Sequence, residues 1–124
     1  MTKKLLVVED DKAILELISE IFGNLEDYII LCARDVEEAL RIAREDNPGI
    51  ILLDIHLPQI DGYAVCRLVK SDPAMSHVKI LILSCIAQDY YWQKAQEAGA
   101  DGYITKPFSS TTLIDKVEEL LRSN

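Results

Sequence analysis

Glu9, Asp10 and Asp54 are carboxylates that follow short apolar runs, and Ser84 and Lys106 follow two more. Leu5-Leu6-Val7-Val8 leads into Glu9-Asp10-Asp11, and Ile50-Ile51-Leu52-Leu53 into Asp54. Ile80-Leu81-Ile82-Leu83 leads into Ser84, and Tyr103-Ile104-Thr105 into Lys106-Pro107. Brought together, these side chains suit phosphoryl and metal chemistry. Carboxylates can hold a divalent cation and one can act as nucleophile, while a hydroxyl and an ammonium can receive phosphoryl oxygens. Such convergence requires the runs to be parallel strands ending at one sheet edge, where open α/β folds bind their ligands.

Strand and helix patterns do alternate along the chain, without linker, low-complexity tract or internal repeat. After a strand near Lys4 to Val8, Ile14, Leu17, Ile18, Ile21 and Phe22 recur at helical spacing, with Asp11 as N-cap and Gly23-Asn24 as the stop. A strand near Tyr28 to Ala33 precedes a helix opened by the capping-box spacing of Asp35 and Glu38, with a stripe of Val36, Ala39, Leu40 and Ala43. Ile50 to Asp54 is apolar on both faces, as a covered central strand should be. A loop with Pro58 and Asp61-Gly62 then leads to a helix around Tyr63 to Lys70. There follow a strand over Val78 to Ser84, a helix over about Gln88 to Ala98 closed by Gly99, a strand over Gly102 to Thr105, and a helix from Ser109 to about Arg122. Five β/α units in succession predict a doubly wound five-stranded parallel sheet with helices on both faces.

Composition narrows the function classes. The 124 residues fit one domain, with 21 acidic side chains against 13 basic and a net charge of -8. That balance argues against a nucleic-acid or anionic-membrane surface. The apolar runs are too short to span a bilayer, and the start resembles no signal peptide, so a cytoplasmic protein is expected. Three cysteines, Cys32, Cys66 and Cys85, sit in apolar contexts without CxxC spacing and read as buried small hydrophobes. His77 reads as a solvated loop residue.

The segments Val7-Val8-Glu9-Asp10, Leu53-Asp54-Ile55-His56-Leu57-Pro58, Leu83-Ser84 and Tyr103-Ile104-Thr105-Lys106-Pro107-Phe108 together resemble the receiver domain of two-component response regulators. The resemblance extends over residues 1–124 and implies the flavodoxin-like strand order 2-1-3-4-5. It implies Asp54 as phosphoacceptor, Glu9 and Asp10 as the acidic metal pair, Ser84 and Tyr103 as the switch residues, and Lys106 as the family's lysine. The Lys106-Pro107 bond is similar to one that is cis in that family. A Mg²⁺ or Mn²⁺ ion would be held by Asp10, Asp54 and the His56 backbone carbonyl, with Glu9 acting through water. The implied partners are a histidine kinase or histidine phosphotransfer protein, a downstream protein target, and a second copy in a phosphorylation-dependent dimer. With the chain ending after its fifth helix, a single-domain regulator or a receiver from a longer protein is expected.

Rival classes fit less well. A haloacid-dehalogenase-like hydrolase resembles Asp-x-Asp, and here the second position is His56. A flavin or nucleotide binder would want a glycine-rich loop where Glu9-Asp10-Asp11 stands. A pseudo-receiver that binds proteins without phosphorylation is the remaining alternative. Cys85 and Ile86, beside Ser84, depart from the family's commonest residues; Cys85 is expected to narrow access to Asp54, and Ile86 to hinder water. Tyr90-Tyr91-Trp92 puts three aromatics early in the fourth helix. If its buried stripe runs through Tyr91, Ala95 and Ala98, Trp92 lies about 100° round the helix, partly exposed near Tyr103 as a partner-binding residue.

Overall fold

Alternate residues of the strands face opposite layers, and both layers are covered by helices, which is why the strands read as unbroken apolar runs. The computed structural model describes residues 2–55, 61–85 and 89–123; His56, Pro58, Ile86 and Gln88 lie outside them. The elements are β1 (Lys3–Val8), α1 (Lys12–Gly23), β2 (Tyr28–Ala33), α2 (Val36–Asp46), β3 (Ile50–Asp54), α3 (Gly62–Ser71), β4 (Lys79–Ser84), α4 (Asp89–Ala98), β5 (Gly102–Thr105) and α5 (Ser110–Arg122). The strands form one five-stranded parallel sheet in the order β2-β1-β3-β4-β5, as the resemblance implied.

On one face Leu5, Val7, Ile50, Leu52, Leu81 and Leu83 pack with Ile18, Ile21 and Phe22 of α1 and Leu113, Val117 and Leu120 of α5. On the other, Leu6, Val8, Ile51, Leu53, Ile80 and Ile82 pack against α2, α3 and α4. The helix starts follow the expected chemistry. Asp11 accepts from the Ala13 N–H at 2.9 Å, Asp35 from that of Glu38 at 2.8 Å, and Asp61 from those of Tyr63 and Ala64. Asn47 closes α2 in the left-handed region, and Gly99, at φ 105°, follows α4 where a Cβ would also meet Lys70.

Two expectations need correction. Cys32 and Cys85 are exposed, and only Cys66 is buried. Cys32 lies on an edge strand and Cys85 just beyond the end of β4, so neither shares the cover that a central apolar run implies. Leu17 is 43 % exposed although it falls on the helical period of α1; the stripe is narrower and rests on Ile18, Ile21 and Phe22. In α4 Ala95 and Ala98 are buried and Tyr91 half-buried, and Trp92 is half-buried beside Tyr103 as expected while also packing on the same core layer. His77 is exposed as expected and pairs with Asn47 Oδ1 at 2.6 Å.

Candidate functional site

The strand order reverses between β1 and β3, whose following helices lie on opposite faces. That divergence opens a crevice at the carboxyl ends, and the residues there are Glu9 and Asp54. Both carboxylates are buried, at 2 % and 8 % exposure. Lys106, carried just past β5, reaches across β4 and places its ammonium 2.6 Å from Asp54 Oδ2 and 3.4 Å from Glu9 Oε2. Glu9 is held from its own side too, its Oε1 accepting the Asp11 N–H at 3.2 Å. Asp10 is exposed at the same edge.

The electrostatics follow from two buried carboxylates sharing one cation. Burial pushes the Glu9 carboxyl above its ordinary pKa and Asp54 adds to this, against the opposing pull of the Asp11 N–H and Lys106. Burial also pulls on the Lys106 ammonium, lowering its pKa, but the hydrogen bond and charge of Asp54, with those of Glu9, outweigh it and leave that pKa raised. The centre therefore holds an excess negative charge, with Asp10 beside it. Among the described residues no group of three His, Cys, Asp or Glu is gathered so as to enclose a metal ion. A closed cage is not what Mg²⁺ usually has, since one or two carboxylates hold it and water and phosphate oxygens complete the shell. The hard oxygen donors of Asp10 and Asp54, backed by Glu9, fit such an ion.

Ser84 ends β4 fully buried. Asp54 pairs in register with Leu83, so Ser84 lies one residue further along the neighbouring strand, toward the same edge. The Lys106 N–H donates to the Ser84 carbonyl at 2.6 Å, tying the lysine's backbone to β4, and the Lys106-Pro107 peptide is cis. Gly62 lets the start of α3 approach this edge closely, since a Cβ there would lie 2.6 Å from Ile55 Cγ2. Tyr103 and Trp92 stand apart from the acids on the α4 side. Their rings are 5.7 Å apart and tilted by 51°, and both are half-buried.

The fold thus brings Glu9, Asp54 and Lys106 into contact, sets Asp10 and Ser84 at the same edge, and pairs Tyr103 with Trp92. His56 and Ile86 lie outside the described residues. Two features escaped the sequence reading. An apolar crevice of about 350 Å³ beside Lys106 is walled by Ile14, Leu17, Cys85, Pro107 and Phe108. Tyr63, on the period of Cys66 and Val69 along α3, packs on the same core layer as Trp92 and Tyr103; that shared period was the signal for it.

Comparison with known proteins agrees with this fold. A family model described as the response regulator receiver domain matches residues 5–118. The alkaline phosphatase synthesis transcriptional regulatory protein PhoP of Bacillus subtilis is 38 % identical over 98 % of this chain and 50 % of its own length. The chain spans about half the length of the curated relatives it matches. Among solved structures, a putative response regulator from Chloroflexus aurantiacus is 30 % identical, with a TM-score of 0.92 over 99 % of this chain and 100 % of that one. The receiver domain of the sensor histidine kinase PA1611 from Pseudomonas aeruginosa, with magnesium coordinated in its active site cleft, is 26 % identical, with a TM-score of 0.88 over 99 % and 100 %. Over nearly its whole length, therefore, the chain belongs to the response regulator receiver domains of two-component signalling.

Proposed function

We propose that the domain accepts a phosphoryl group on Asp54 from a phosphohistidine of a kinase or phosphotransfer protein, and that the modified domain binds a downstream protein differently. The observation that carries this reading is the buried Asp54 carboxylate at the carboxyl end of β3 with the Lys106 ammonium 2.6 Å away. In the transfer a carboxylate oxygen of Asp54 attacks phosphorus, the phosphorus–nitrogen bond breaks, and the departing imidazole nitrogen keeps the electron pair and takes a proton. Both reactants are anionic, so their approach needs positive charge. Lys106 supplies one unit of it from within the protein. Asp10 and Asp54, with the His56 carbonyl and with Glu9 through water, would hold a Mg²⁺ or Mn²⁺ ion, which supplies the rest by neutralising the phosphoryl oxygens. The magnesium in the cleft of the PA1611 receiver domain supports this assignment.

Ser84, one residue beyond the register partner of Asp54, is placed to give its hydroxyl to a phosphoryl oxygen. Its movement would open space for the Tyr103 ring and so alter the surface around α4 and β5. The domain is in this reading a switch rather than an enzyme with turnover on a small substrate. Asp54→Asn keeps the shape of the side chain and removes the nucleophile. Intact-mass measurement after exposure to a phosphohistidine donor should show an adduct of one phosphoryl group on the wild type and none on the folded variant. An equal adduct on both would sink the assignment of Asp54, and an inert wild type would favour the pseudo-receiver.

A further inference from the structure

The Tyr63 hydroxyl is buried and has no hydrogen-bond partner among the described residues. Buried polar groups almost always find one, and an exception asks for a reason. Tyr28 is the other such case, but it begins β2 at the opposite edge of the sheet from Asp54. Tyr63 sits in the first turn of α3, the helix entered directly from the segment that follows Asp54.

The surroundings of Tyr63 connect it to the switch residues. Its ring packs on the same core layer as Trp92, Ala100 and Tyr103. The Lys94 ammonium of α4 stands 5.2 Å from the Tyr63 ring centre and 5.4 Å from that of Tyr90, holding the ring by cation–π attraction. Burial raises the Tyr63 phenol pKa, and after burial the strongest influence on it is Tyr103. The two phenols are therefore electrostatic neighbours on adjoining elements. In the sheet order β3-β4-β5, a Tyr103 ring that swings from β5 toward Ser84 on β4 moves toward α3.

We propose that Tyr63 is the hydrogen-bonding station for Tyr103 in the switched state, its hydroxyl pairing with that of Tyr103 once the latter turns toward Ser84. In the resting state the unpaired hydroxyl raises the free energy of the domain; in the switched state that cost disappears. Tyr63 thereby biases the equilibrium toward the switched form, acting as a positioning residue without touching the phosphoryl group. The inference rests on Asp54 as phosphoacceptor and adds a residue that Asp54, Ser84 and Lys106 do not need for transfer.

Trp92 is the only tryptophan and its ring lies 5.7 Å from that of Tyr103, so its fluorescence reports the departure of Tyr103. The wild type, Tyr63→Phe, Tyr103→Phe and the double variant, each saturated with Mg²⁺, are titrated with beryllofluoride, a mimic of the phosphoryl group on a carboxylate. For Tyr63→Phe the concentration at half-change should rise about fivefold, the loss of one ordinary hydrogen bond. Its thermal midpoint without beryllofluoride should rise by a few degrees, because an unpaired buried hydroxyl has been removed. Tyr103→Phe should show a similar loss, and the double variant no further one. An unchanged half-point in Tyr63→Phe, a lowered resting midpoint, or additive losses in the double variant would overturn the inference while leaving Asp54 as acceptor. A wild type silent to beryllofluoride would overturn both.

Discussion

Lys106 carries more of the resting domain's electrostatic balance than either acid it contacts. Removing Asp54's charge leaves one buried carboxylate with one cation, whereas removing Lys106 takes away the cation that the described residues place between Glu9 and Asp54. Breaking a buried ion group in the second way is the costly kind. Lys106→Met should lower unfolding stability in urea by about 3 kcal/mol, and Asp54→Asn by less than about 1 kcal/mol. Equal losses would mean that the lysine is not the shared counterion. Cys66 offers a second test at this scale. Burial pushes its thiol from 9.0 up to about 12, so at pH 8 it stays protonated and unreactive while the exposed Cys32 and Cys85 can be alkylated. Mass spectrometry should find Cys66 labelled only after denaturation. Above pH 9.0 the unfolded chain ionises this thiol and the folded one does not, so the folded state loses stability as pH rises. The slope is about 1.4 kcal/mol per pH unit. The difference between wild type and Cys66→Ala should close at that rate between pH 9.5 and 11.

Helix α4 joins the site to the surface, and its register decides what each aromatic does. Trp92 packs on the core above Ala95 and Ala98 and leans on Tyr103, while Tyr90 is 58 % exposed and meets Tyr91 edge-on at 5.2 Å. Trp92 is thus both a packing residue and a half-exposed one. Trp92→Ala should cost about 2 kcal/mol of stability, because part of a large ring leaves the core. In the proposed reading it should also weaken binding of the downstream partner while leaving transfer to Asp54 intact. Tyr90→Ala should cost less than about 0.5 kcal/mol, as surface changes do. A larger loss for Tyr90 than for Trp92 would reverse the register assigned to α4. The caps bear on the same scale: Asp61 closes two N–H groups at the start of α3 and so fixes the helix that carries Tyr63.

Across the whole molecule the arrangement is one parallel sheet between two layers of helices, with Glu9, Asp10 and Asp54 at its carboxyl edge. No helix among the described residues is long and apolar enough to cross a membrane. The excess of acid at that edge is repulsive without a cation, so a divalent ion that binds there should stabilise the folded state alone. Saturating Mg²⁺ at about one hundred times its dissociation constant should add about 2.7 kcal/mol to unfolding stability. The shift should fall sharply in Asp10→Asn and vanish in Asp54→Asn. A shift that persists undiminished in both would place the ion elsewhere.

The sequence by itself determined the alternation of elements, because helix and strand are governed by local period and capping. Asp11 and Asp35 capped the helices they were expected to cap, and Ser109, read as the first residue of the last helix, is its N-cap. It also placed Asp54, Ser84 and Lys106 at strand ends, since each apolar run gives way there to a polar residue although Asp54 and Ser84 are themselves buried. The strand order came from resemblance, because contacts between distant segments leave no periodic trace. What only the tertiary structure decided were matters of which side faces what. Cys32 is exposed because β2 is an edge strand, Leu17 because the crevice beside Lys106 lies under it, and Trp92 packs on a core layer while staying half-exposed because of how α4 seats Ala95 and Ala98. The shared cation between Glu9 and Asp54 and the unpaired Tyr63 hydroxyl belong to the same class. Each depends on side chains far apart in the chain, and distances across a fold are set by packing of the layers rather than by any spacing along the sequence.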